Sequence, residues 1–152
     1  MVRLLQEFLS HSYSTSRSAI ENEIIPMIQD FSKKMTIVVR DDVGSWQLTN
    51  TIGHIAAYLG NKMSEPFDTG EFFVSKDKVD FPRNSQFPIV ALKASRDQLG
   101  SFAAGLKGSR LSWIIYVQDM IDMTDDEELA AVLKTKIFGD LDILGIGIFG
   151  PR

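Results

Sequence analysis

The chain has 152 residues, 44% of them hydrophobic and 24% charged, with a net charge of −4. These values describe one ordinary globular unit and exclude a disordered, collagen-like or fibrous chain. No residue is cysteine, which removes disulfides, thiolate metal sites and cysteine nucleophiles.

Residues 2–31 read as helical. Leu4, Leu5, Phe8 and Leu9 form one apolar stripe, and Ile20, Ile24, Ile25 and Ile28 form another at helical spacing. The Ser-rich stretch from Ser10 to Ser18 separates them, and Pro26 marks a kink or a restart. Arg3, Arg17 and many hydroxyls give Met1–Ser18 a faint look of a targeting peptide; Glu7 and the short apolar run count against it. No apolar run approaches the roughly 18 residues of a membrane span.

The core begins with a strand at Met35–Arg40. Ile37, Val38 and Val39 form the β-branched run of a strand covered on both faces. Asp41–Gly44 is turn chemistry. A helix from Trp46 to Gly60 follows, with Leu48, Ile52, Ile55, Ala56 and Leu59 on one face and Asn50 and His54 opposite. Residues 61–86 read as irregular, with a short strand at Phe72–Val74. Phe87–Leu92 is the next strand. Ser95 and Gln98 make a capping box for a helix ending near Leu106. Leu111–Val117 is a strand, and Thr124 to Glu127 is a second capping pattern, opening a helix to Lys136. Ile143–Phe149 is the last strand. This alternation predicts an α/β layer fold.

Several of these segments together carry a resemblance. Met35-Thr-Ile-Val-Val-Arg-Asp-Asp42, then Asn50 and His54, is the first part. Pro88-Ile-Val-Ala-Leu-Lys93 is the second, and Leu144-Gly-Ile-Gly-Ile-Phe-Gly-Pro151 the third. They resemble the bacterial domain-of-unknown-function two-thousand family, which is similar in fold to type 2 peptidyl-tRNA hydrolase. The resemblance implies a three-layer α/β sandwich with a mixed four-stranded central sheet over residues 35–152. Residues 1–34 are then an N-terminal helical extension. By this resemblance the hydrolases' strand end, Val-Val-Arg followed by an acidic or amide residue and Asp, corresponds to Val38–Asp42, their histidine to His54, and their aspartate after the third strand to Asp119. The Lys-rich segment of the hydrolases is Gly44-Ser-Trp-Gln-Leu-Thr49 here, without lysine, and their glutamine position is Thr51.

Strand ends and the first turn of the following helix are where α/β folds place ligands. Arg40, Asp41, Asp42, Trp46, Asn50, His54 and Asp119 are therefore the expected ligand-binding set, with His54 and Asp119 as candidates for proton transfer. Asn50 and His54, one turn apart, are neighbours. No metal motif and no cofactor motif is expected. Gly145-Ile-Gly147-Ile-Phe-Gly150 spells a dinucleotide fingerprint, but it lies inside a strand. Its glycines there predict close approach of a helix or ligand.

Two functions follow. One is a small-molecule or protein-binding module sharing the hydrolase scaffold without its lysines. The other is a hydrolase of a peptidyl or aminoacyl ester or amide, with His54 and Asp119 moving protons. The missing lysines and the −4 charge favour the first, because phosphate contacts normally require a basic face. The apolar stripes of the extension predict a homo-oligomer, a dimer joined through that arm. The expected location is cytoplasmic.

Overall fold

The β-branched run of the first strand sits at the middle of a four-stranded mixed sheet. In a computed structural model, residues 31–63 and 72–151 are described. The strands are β1 (Lys33–Arg40), β2 (Phe72–Val74), β3 (Asp80–Pro82), β4 (Ile89–Ala94), β5 (Ser112–Val117) and β6 (Ile143–Pro151). The helices are α1 (Ser45–Lys62), α2 (Arg96–Leu106), α3 (Asp119–Asp122) and α4 (Asp126–Leu133), with a 3-10 turn at Phe138–Asp140. The main sheet has the order β4-β1-β6-β5. β1 runs parallel to β4 and antiparallel to β6, and β5 is antiparallel to β6. Nearly all of the expected extension, residues 1–34, lies outside the described residues.

Alternate residues of β1 serve different cores, as the pleat requires. Met35, Ile37 and Val39 pack with Ile55 and Leu59 of α1. Val38 packs with Leu99, Ala103 and Leu106 of α2. Phe87 is buried just before β4 and meets Phe149 edge to face, with ring centroids 5.1 Å apart.

The two glycines of β6 decide how α1 sits. A Cβ at Gly145 would lie 2.6 Å from Thr51 Cγ2, and one at Gly147 would lie 2.2 Å from Ile55 Cγ2 and 2.9 Å from Leu59 Cδ1. The expected close approach is therefore that of a helix. The fingerprint is steric here, since the strand continues to Pro151.

Some boundaries differ from the sequence expectation. β2 is the short strand expected at Phe72–Val74; it pairs in a small hairpin with β3, which the irregular reading of residues 61–86 missed. The cap of α4 is Asp125, whose carboxylate accepts from Glu127 N–H at 3.0 Å and Glu128 N–H at 2.8 Å; Thr124 is not the cap. α4 ends at Leu133, three residues before Lys136.

Replacing Gly147 with alanine should lower stability by about 1–3 kcal/mol, because the overlap meets packed side chains. Gly53→Ala, in the exposed interior of α1 where a Cβ meets nothing within 4 Å, should instead be neutral or stabilising by up to about 1 kcal/mol. Urea denaturation midpoints of the two variants check this contrast.

Candidate functional site

The residues expected to form one site fall into three clusters. The first is at the C-terminal end of β1. Arg40 Nε donates to Asp42 Oδ1 at 2.5 Å, and Arg40 Nη1 donates to Asp142 Oδ1. Arg96 Nη2 also reaches Asp142 Oδ1, at 2.9 Å. Burial opposes the charge on Arg40, but hydrogen bonds and charge from Asp42 and Asp142 outweigh it and raise its pKa. Asp41 contributes its backbone N–H to Ala94 O at 3.0 Å, tying the ends of β1 and β4 together. Its side chain is exposed.

The second cluster lies on α1. The hydroxyl of Tyr116, near the end of β5, donates to Asn50 Oδ1 at 2.9 Å. The His54 ring stacks on the Tyr116 ring, with centroids 5.1 Å apart and planes 15° off parallel. Tyr116 is buried, whereas Asn50 and His54 are exposed. The buried phenol thus orients two solvent-facing polar groups from below. Thr49, Asn50, Gly53, His54 and Ala57 line a shallow depression of about 320 Å³. Trp46, four residues before Asn50 on the same helical side, is 62% exposed.

The third cluster lies between the end of β5 and the residues after α4. Asp119 is buried, and Lys136 Nζ donates to its Oδ1 at 2.5 Å. Its other oxygen has no hydrogen-bond partner among the described residues. Beside it in sequence, Gln118 Nε2 donates to Asp122 Oδ1 at 2.8 Å, and Gln118 Oε1 accepts from Gln47 Nε2 at 3.2 Å. Gln47 Oε1 in turn accepts from Gly44 N–H at 3.0 Å and caps α1.

The structure therefore joins Asn50 with His54 and Arg40 with Asp42. Among the described residues no hydrogen bond, ion pair or ring contact links His54 to Asp42 or to Asp119. Thr51 is buried against Gly145. No group of three or more metal-ligating side chains gathers among the described residues. No helix among them is long and apolar enough to cross a membrane.

Sequence reasoning missed Tyr116 and Lys136. Tyr116 is the one residue of β5 with both a ring and a hydroxyl, and it lies near the strand's C-terminal end. That placement was its only signal. Lys136 was assigned to a helix that stops short of it.

Residues 33–152 match the model of a family described as protein of unknown function (DUF2000). The chain belongs to that family. The DUF2000 match spans all six strands and all four helices described above. No curated protein matches the chain. A solved structure is similar: the protein of unknown function Atu0240 from Agrobacterium tumefaciens strain C58. It is 18% identical, with a TM-score of 0.70, covering 81% of this chain and 90% of that one. At that identity the likeness concerns the fold of the DUF2000 domain.

Two measurements test the clusters. Lys136→Met should destabilise the domain by about 1–3 kcal/mol, because it strands a buried carboxylate. Adding Asp119→Leu to that variant should recover part of the loss, as a double-mutant cycle from urea unfolding would show. Burial raises the pKa of Tyr116. Its folded pKa exceeds the unfolded value of about 10, so its contribution is full below that pH and is lost as pH rises through the folded pKa. Tyr116→Phe should flatten that part of the alkaline stability profile.

Proposed function

We propose that this domain is a binding module for a small molecule or a protein segment, with the exposed side of α1 as its recognition surface. The supporting observation is the Tyr116–Asn50–His54 cluster. One buried phenol holds Asn50 by a hydrogen bond and His54 by stacking, while both remain open to solvent. With its carbonyl oxygen engaged, Asn50 still has an amide NH₂ to donate. His54 offers a ring nitrogen as donor or acceptor, and Trp46 offers an apolar face on the same side. Groups held in place before binding lose little freedom when a ligand arrives.

The three-layer, type 2 peptidyl-tRNA hydrolase-like reading of the scaffold belongs with this proposal. The alternation of β1 between the α1 and α2 cores supports it. The hydrolytic reading has less support. A general base must come within reach of the proton it takes, and Asp119 is engaged by Lys136 rather than by His54. The Gly44–Thr49 segment carries no lysine, and the net charge of −4 offers no general attraction for RNA. We place the protein in the cytoplasm of a bacterium on the same footing.

A peptidyl-tRNA cleavage assay with purified wild-type protein and His54→Ala decides between the readings. The expected result is no turnover above background for either protein. Clear wild-type turnover that disappears in His54→Ala would overturn the binding-module reading.

A further inference from the structure

The two helices do not cover the sheet equally. On the side that α2 packs against, one row of side chains crosses all four strands in register: Val90, Thr36, Ile148 and Trp113. The next row, Leu92, Val38, Ile146 and Ile115, runs toward α2. The first row lies further from the helix core. Val90 is 37% exposed and Leu92 50%. Phe102 of α2 and Leu111 are each 40% exposed. Lys34, Thr36, Phe102, Leu111, Ile148 and Gly150 line a cavity of about 320 Å³ there. This is an apolar sheet face with part of its cover missing among the described residues, a feature soluble domains normally bury.

We propose that residues 20–30 of this same chain cover that face, with Ile20, Ile24, Ile25 and Ile28 set against the Val90–Trp113 row. Three observations support this occupant. The first is the place where the segment joins the fold. Residues 1–30 lead through Phe31 and Ser32 into Lys33, the start of β1, at the strand end where Lys34 and Thr36 line the cavity. The second is size. Taken as the helix the sequence predicts, with its kink at Pro26, an 11-residue segment would be at most about 16 Å long, and four strands at their usual spacing span about 14 Å. The third is charge. Residues 20–30 contain Glu21, Glu23 and Asp30 and no lysine or arginine. Lys34 lies in the cavity wall and Arg110 adjoins Leu111, and neither makes an ion pair among the described residues.

The absence of cysteine makes the test direct on the full chain. Ile24→Cys and Ile28→Cys are each paired with Val90→Cys, and a control pairs Ile24→Cys with Gly53→Cys on the exposed side of α1. After mild oxidation of dilute protein, at least one Val90 pair should form a disulfide within a single chain, and the control should not. Mixing singly substituted chains should give no cross-linked dimer. In parallel, Trp46→Phe leaves Trp113 as the only tryptophan. Adding Ile24→Asp and Ile28→Asp should then raise acrylamide quenching of Trp113 about twofold or more. Disulfides only between chains would overturn the proposal in favour of a second copy as the cover. Equal cross-linking in the control, no cross-link at all, or unchanged quenching would also overturn it.

Discussion

The contact on which this fold most depends is the seating of α1 on β6. Thr51, Ile55 and Leu59 descend into space that side chains at Gly145 and Gly147 would occupy. β6 lies between β1 and β5, so the helix is set against the middle of the sheet. Glycine weakens a strand taken alone. Here close packing offsets that cost, because the buried side chains of Thr51, Ile55 and Leu59 come into direct contact with the strand. The same seating fixes the opposite side of α1, where Asn50 and His54 stand. A substitution at Gly147 would therefore disturb both the core and the surface above it.

Much of this was legible in local sequence. The β-branched run of β1, the apolar stripe of α1 and the Ser95–Gln98 cap are short-range signals, and Ser95 Oγ does accept from Gln98 N–H at 3.3 Å. The close approach at Gly145 and Gly147 was also readable, because glycine inside a strand has few other uses. The candidate site was only half legible. Asn50 and His54 are one helical turn apart and could be paired by spacing. Their support, Tyr116, is 66 residues from Asn50 in sequence, and no local rule carries such a contact. Asp119 was expected near His54, but its partner depends on where α4 ends. The capping pattern was expected to start at Thr124, but the Asp125 carboxylate takes the Glu127 and Glu128 N–H groups instead.

The two sides of the sheet have different characters. Toward α1 the packing is dense, and the polar groups project from the far side of the helix. Toward α2, among the described residues, the packing thins away from the helix and apolar atoms are left exposed. Among the described residues β4 forms an edge, with its side chains exposed on both faces except at Ala94. Natural edge strands are commonly shortened or charged to discourage pairing with other chains. β4 has six residues and the single charge of Lys93, so it is weakly defended. A cover over the adjacent face would also shield this edge.

Asp142 carries a separate consequence. One of its oxygens receives two guanidinium groups, from Arg40 at the end of β1 and Arg96 at the start of α2. Asp42 supplies the second carboxylate. Two arginines and two aspartates therefore form a locally electroneutral quartet at the end of the sheet. Paired arginines beside a helix start would otherwise be an obvious seat for phosphate. Here an incoming anion must displace an aspartate that already holds the position. That end of the sheet is thus self-quenched, and it acts as a rivet joining β1, α2 and the entry to β6.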